Sequence, residues 1–484
     1  MSPTDVTQAV APERKALNLL SLLGDAARRT QTPIKTLYPY FNLPGMLSLA
    51  AGQPHPDTFA IRSLTVTVPS LDDDGPAEVP LTIPFEPATG ATPAEASVAV
   101  TRSMQYGTTR GITGYQAFAR AHTAALHHPP YADWDVIATV GNTDGLAKCL
   151  GLIGSGGDSL LLDEWTYPAA VDTATSHNIS TVPIRMDRDG MCPTDLERVL
   201  TTWPADRSRP KMMYLVPTGQ NPTGVTMPIE RRRAIYALAQ RFNVMIFEDD
   251  PYYYLQYAAY QPPTERRTPL TAGDQPGLSG LIPSFLALDV DGRVIRLDSF
   301  SKTLGPGFRT GWLTASKQFL PYIEYHHETT TQQPAGPAQA IVTELLTRHW
   351  GHDGFARYLR RLQHGYYERR NRFLDTVGRH LDGLVDYVVP DAGMFVWFRL
   401  RLPAGVTGAD DQPMQSLLQG LVAAKVIAIP GYLFAGQIDR AARSNEPYLR
   451  AAFSITNPDD FEPAVERLAG VLRAMGCGSG ALST

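Results

Sequence analysis

Between residue 113 and about residue 315 the chain alternates short apolar runs with segments of helical periodicity. Val136 to Val140, Ser159 to Leu162, Lys211 to Val216, Val244 to Phe247 and Val294 to Leu297 are the apolar runs. Asp144 to Ile153, Pro168 to Ser176 and Pro228 to Arg241 carry the helical spacing. Strands that are apolar on both faces and separated by helices predict an α/β fold with a mostly parallel central sheet flanked by helices. In such sheets functional side chains gather at the carboxyl ends of the strands.

The flanking regions read differently. Residues 12 to 36 predict a helix and an arm that carries Arg28, Arg29 and Lys35, ending near Pro33. Residues 62 to 98 are rich in Pro, Thr and Asp. Their alternating runs, Leu64 to Val68 and Val79 to Ile83, predict a hairpin-like surface excursion with a turn at Asp72-Asp73-Asp74-Gly75. Residues 316 to 380 predict long charged helices. Beyond Leu384, strands (Tyr387 to Val389, Met394 to Leu400) mix with helices (Met414 to Ala424, Phe461 to Met475), the pattern of a smaller α+β layer.

Length and charge narrow the functional classes. A chain of 484 residues accommodates two domains. A formal net charge of −5 argues against a nucleic-acid partner, since phosphate affinity needs a basic surface. The three cysteines, Cys149, Cys192 and Cys477, lie far apart and form no metal-ligand pattern, which points to a reducing compartment. No apolar run approaches the roughly 20 residues of a membrane span. The opening segment, interrupted by Asp5 and Glu13, does not read as a targeting signal. The expectation is a cytoplasmic protein with no membrane, metal or nucleic-acid partner.

The chemistry-bearing residues fall at the ends of the predicted strands. In Ser299-Phe300-Ser301-Lys302, followed by Gly305-Pro306-Gly307-Phe308-Arg309, an amine can condense with an aldehyde while the nearby arginine holds a phosphate. Pyridoxal 5′-phosphate (PLP) carries both groups. Its ring nitrogen requires a carboxylate, and Asp249 stands at the end of the strand Val244 to Phe247, with Tyr252 three residues on as a hydrogen-bond donor to the ring oxygen. An acidic residue before proline also simply begins a turn. Asn221, in Pro217-Thr218-Gly219-Gln220-Asn221-Pro222-Thr223-Gly224, offers an amide to the same oxygen, or else marks a plain Asn-Pro turn. Gly141-Asn142-Thr143 lies between a strand and a helix, where backbone N–H groups and the Thr143 hydroxyl donate to an anion, or else simply cap the helix; Ser299, Ser301 and Arg309 are placed to complete a phosphate cup. Asp144 is expected to point away from that anion. Tyr167 can stack on the ring, with Trp165 competing for the role. Arg450, inside the apolar pattern of Tyr448 to Phe453, needs an anionic partner: a substrate carboxylate or a structural ion pair.

Taken together these motifs resemble the fold-type I PLP-dependent aminotransferases of class I. The nearest likeness is to the fungal aromatic-amino-acid aminotransferases and the kynurenine/2-aminoadipate aminotransferases, and it runs from about Pro33 to the C-terminus. The resemblance implies that Lys302 carries the cofactor and moves the substrate proton. It implies that Asp249 holds the ring nitrogen, Asn221 and Tyr252 the ring oxygen, and Tyr167 the ring face. Ser299, Ser301, Arg309, Asn142 and Thr143 hold the phosphate. Tyr106 reaches a phosphate across the interface of a homodimer, Arg450 fixes the substrate carboxylate, and Gly52 admits the N-terminal segment closely. It further implies an N-terminal arm and part of a small domain in residues 1–60, a large PLP-binding domain in 61–345 and a C-terminal small domain in 346–484.

One departure bears on substrate. Lys35 stands where the kynurenine/2-aminoadipate relatives carry an arginine, and a lysine cannot reproduce bidentate carboxylate recognition. Tyr38, Tyr40 and Phe41 either line an aromatic pocket or pack the arm. The expected activity is ping-pong transamination of Trp, Phe or Tyr to aromatic 2-oxo acids, with 2-oxoglutarate or an aromatic 2-oxo acid as acceptor. Kynurenine/2-aminoadipate transamination is the alternative within the class, and a PLP-dependent lyase or decarboxylase the alternative outside it.

Overall fold

A computed structural model describes residues 14–37, 40, 43–47, 49, 52–71, 77–266, 268–403, 413–436 and 440–478. The chain forms a mixed, mostly parallel sheet flanked by helices, as the strand–helix alternation predicts. It divides into two compact units, each assembled from separated stretches of sequence: 1–155, 239–248 and 283–352 in the first, 156–238, 249–282 and 353–484 in the second. No helix among the described residues is long and apolar enough to cross a membrane.

In the first unit the strand Val294–Ser299 pairs antiparallel with Gly311–Ser316, which pairs antiparallel with Trp134–Thr139. On the other side of Val294–Ser299 runs the strand that begins at Met245. These strands are almost wholly buried, which is why apolar residues form their centres. Arg296 is one of the charged exceptions. Its fully buried guanidinium pairs with Glu248 and Asp298, also buried, so the charges compensate one another. The hairpin Leu64–Pro69 with Glu78–Ile83 forms in the register Leu64↔Ile83, as its alternation predicts; its turn at Asp72 to Gly75 lies outside the described residues, as do Tyr38 and Phe41.

The arm differs from expectation. Residues 14–37 form three short 3-10 turns, Leu20–Leu22, Asp25–Arg28 and Pro33–Leu37, and no α-helix. The backbone N–H groups there are spent on the rest of the unit: Leu17 on Asp291 O, Leu19 on the Gln318 side chain, Gly24 on Leu152 O. A segment whose donors are claimed from outside has none left for an i→i−4 ladder.

In the second unit Ser159–Asp163 pairs parallel with Ser180–Ile184 and with Met212–Leu215. A four-stranded antiparallel sheet follows the order Val385–Tyr387, Phe395–Leu400, Tyr448–Ala452, Ile429–Pro430. The helices Gly351–His380, Pro413–Ala423 and Phe461–Ala474 supply apolar faces to its core, where Phe373, Leu417 and Leu472 meet Phe398, Leu449 and Phe453. The first strand of this sheet starts two residues before the expected Tyr387, because Val385 is the buried residue and Val388 is half exposed.

Candidate active site

The candidate residues form two groups, one in each unit. In the first unit the strand Trp134–Thr139 leads through Gly141 into the helix Asn142–Ile153. Gly141 has φ +102, and a Cβ there would lie 2.9 Å from Arg309 Nη2. The positive φ favours glycine, and a side chain there would push the Arg309 guanidinium aside. Arg309 itself adopts φ +48; its Nη2 donates to Val140 O at 2.8 Å and its Nη1 to Ser301 Oγ at 3.4 Å. A left-handed arginine costs about 1–2 kcal/mol, a strain typical of ligand clamps.

Ser299 ends its strand and accepts from Ser301 N at 3.0 Å while its hydroxyl meets Ser301 Oγ at 2.8 Å. Lys302 follows in the 3-10 turn Phe300–Lys302. Asn142 Nδ2 donates to Leu297 O at 3.0 Å, which pins the first helical residue to the lysine-bearing strand, and Thr143 is exposed beside it. Asp144, expected to point away from an anion, has its carboxylate on Val140 N and on the buried Lys148. Helix-start N–H groups, two hydroxyls and a guanidinium are a donor set suited to a phosphate monoester.

In the second unit Asp249 lies buried at a strand end and accepts a 2.7 Å hydrogen bond from the Tyr214 hydroxyl. Burial first, and Asp249 second, push the phenols of Tyr214 and Tyr252 well above the usual range, so both stay protonated and act as donors. Arg450 sits on the strand Tyr448–Ala452, stacked over Phe395 at 4.5 Å and Phe434 at 4.8 Å. Its Nη1 donates to Asn221 Oδ1 at 2.7 Å, its Nε is buried without a hydrogen-bond partner, and desolvation lowers its pKa. With the Asn221 oxygen committed to Arg450, the polar group that Asn221 has left is the Nδ2 donor. Trp165 is occupied as well: it packs with Trp397 and Tyr448 under the Arg443 guanidinium. Tyr167, half-buried at the start of the helix Pro168–Ser176, is left as the aromatic able to meet a ring. A buried carboxylate, amide and phenol donors, and an arginine with an unsatisfied Nε suit a protonated pyridine bearing a phenolic oxygen, and a carboxylate substrate.

Three predicted residues are not gathered into these groups. Gly52 is exposed, and a Cβ there would meet nothing within 4 Å in this chain. Tyr106 is 64% exposed, beside a pocket of about 430 Å³ lined by Gln105, Gln332 and Gln333. Lys35 donates to Gln332 Oε1 at 3.0 Å and lies in the field of Glu328. Conversely, sequence reasoning missed Tyr214 and Gln220. The signal for Tyr214 was present: a tyrosine within a fully buried strand needs a partner for its hydroxyl.

Comparison with known proteins agrees with this chemistry. The family model for aminotransferase class I and II matches residues 86–468. An aromatic amino acid aminotransferase of Schizosaccharomyces pombe is 35% identical over 436 residues, covering 88% of this chain and 89% of its own. The L-tyrosine:2-oxoglutarate aminotransferase of Tapinella panuoides is 34% identical, covering 93% of this chain and 95% of its own. The crystal structure of the aminotransferase Aro8 from Candida albicans superposes with a TM-score of 0.87 at 30% identity, covering 96% of this chain and all of that one.

Proposed function

The chain belongs to the class I and II aminotransferases, and we propose that it transaminates aromatic L-amino acids, Trp, Phe or Tyr, to aromatic 2-oxo acids, with 2-oxoglutarate or an aromatic 2-oxo acid as acceptor. The family is PLP-dependent, and the residues present fit the group: the Gly141–Arg309 cradle and its hydroxyls for the phosphate, Asp249 for the ring nitrogen, Asn221 and Tyr252 for the ring oxygen, Tyr167 for the ring face. Bound at Lys302, PLP supplies the electrophilic carbon and the electron sink that amino-group transfer requires.

The chain's own side chains divide the remaining work. Arg450 Nε and Nη take the substrate carboxylate and so fix which Cα bond stands across the ring. Asp249 keeps the ring nitrogen protonated. Lys302 Nζ would hold the cofactor and, when free, would serve as the base that moves the substrate's Cα proton. Because donor and acceptor use one site in turn, the kinetics are ping-pong. The exposed Tyr106 supports a homodimer in which that phenol meets the partner subunit's phosphate.

The observation that carries the aromatic preference is the setting of Arg450 between Phe395 and Phe434, with full-length similarity to aromatic aminotransferases beside it. Lys35, engaged with Gln332, offers no bidentate fork for a second carboxylate, which favours this reading over 2-aminoadipate. The test is a half-reaction scan: PLP-loaded protein is mixed with single amino acids and its absorbance followed to the pyridoxamine form. Rapid conversion by Trp, Phe or Tyr and slow conversion by 2-aminoadipate is the expected result. Preference for kynurenine or 2-aminoadipate would reverse the assignment within the class, and loss of CO2 or a side-chain fragment would move it outside.

A further inference from the structure

Gln220 precedes Asn221 and is 1% exposed. Each of its polar groups is used. Its Nε2 donates to Trp165 O at 2.6 Å and to Asp163 Oδ2 at 3.3 Å. Its Oε1 accepts from Thr223 N at 2.9 Å and Thr223 Oγ1 at 2.7 Å. Its backbone N–H donates to Val225 O and its carbonyl accepts from Gly224 N. The acceptor half of the amide thus closes the 220–225 turn, while the donor half joins that turn to the Asp163–Trp165 segment.

The two joined segments each present one cofactor-facing candidate, Asn221 immediately after Gln220 and Tyr167 two residues after Trp165. The 2.6 Å bond to Trp165 O joins buried partners and so resists displacement by water. We propose that Gln220 is a positioning residue, which through its bridge to Trp165 and Asp163 holds the Asn221 amide and the Tyr167 ring in the register that lets one donate to the cofactor's ring oxygen while the other covers its face. Asp163 supports the same geometry: its Oδ2 faces the Gln220 amide, and its Oδ1 is buried without a hydrogen-bond partner, so Gln220 is the group this carboxyl is committed to.

The inference rests on the placement of PLP proposed above, so the wild-type protein is first loaded with PLP, reduced with borohydride and digested. Label on Lys302 establishes the placement; label elsewhere sinks that reading before any variant is made. Gln220→Leu then keeps the volume and removes all four side-chain bonds, and Gln220→Glu keeps the two bonds from Thr223 but replaces the amide's two donors with at most one carboxyl proton. Dissociation of PLP is measured by fluorescence titration of the apoprotein, and the midpoint of the bound cofactor's absorbance change is followed against pH. The expected result is affinity about ten-fold weaker or more in both variants. The pH midpoint moves up, because a misplaced Asn221 no longer favours the ionised ring oxygen, and kcat falls more than KM rises. A residue that only packs the core would lower the melting temperature and leave the pH midpoint where it is. If Gln220→Leu does not fold, Gln220→Glu decides alone: a wild-type Kd and midpoint in that variant overturn the proposal.

Discussion

Replacing Tyr214 by Phe removes one oxygen and changes nothing else in shape. The Tyr214 hydroxyl donates at 2.7 Å to Asp249 Oδ2, and both residues are buried, at 1% and 5% exposure. A hydrogen bond to a charged, buried acceptor is worth about 1.5–3 kcal/mol net. Phenylalanine fills the same ring volume, so no cavity is added to that figure. The apoprotein therefore loses about 1.5–3 kcal/mol, roughly 3–8 °C of melting temperature for a unit of this size. In the placement proposed above, bound PLP would bring a ring N–H as another charge-assisted donor to the same carboxylate and recover part of the loss. The variant's melting temperature should thus rise more on adding saturating PLP than the wild type's does. Differential scanning of apo and loaded forms of both proteins measures this. A variant apoprotein that melts with the wild type, or a PLP-induced rise equal in the two, would refute the pairing of Tyr214 with an ionised Asp249.

Three further outcomes are expected. Arg450→Leu removes the proposed carboxylate clamp and leaves Asn221 Oδ1 without its donor, so kcat/KM for aromatic amino acids should fall about a hundred-fold or more; an unchanged kcat/KM would place the clamp elsewhere. Gly141→Ala forces a Cβ against Arg309 at a φ of +102; a cost of about 1–3 kcal/mol should appear as faster loss of PLP on dialysis, and unchanged retention would mean the cup lies elsewhere. Asp163 is pushed up from 3.8 to about 7 by burial, partly offset by Gln220. A carboxyl raised in the folded state binds its proton there while the unfolded chain has released it, so its contribution to stability declines as pH rises from about 4 to about 7. Asp163→Asn, which keeps an oxygen acceptor for Gln220, should accordingly stabilise the protein at pH 8 by up to a few kcal/mol and by little at pH 4; urea melts at the two pH values read this directly.

Much of the architecture was legible because it follows from burial on two faces. Strands such as Ser159–Asp163 and Met212–Leu215 are wholly buried and carry apolar side chains at their centres, so their existence is written in one-dimensional pattern. Glycine and proline mark the turns that carry the proposed site residues, at Gly141, at the Asn221–Pro222 turn and after Lys302. The arm was misread for the complementary reason. Helical spacing predicts a helix only while the backbone donors stay within the segment, and here distant acceptors at Asp291, Leu152 and Gln318 take them.

The sequence by itself determined the family, and it marked the residue proposed to carry the cofactor and the kinds of donor proposed around it, because those demands are chemical and each is met by a residue type near a strand end. Only the tertiary structure decided which partner each polar group holds. It turned the Asn221 oxygen to Arg450, gave the Tyr214 hydroxyl to Asp249, set Trp165 among Trp397 and Tyr448, and made Gln220 the bridge between two loops some 55 residues apart. Hydrogen bonds and ring contacts depend on separations held to within a few tenths of an ångström between residues far apart in the chain. No local pattern encodes such distances; the packed sheet and its helices do.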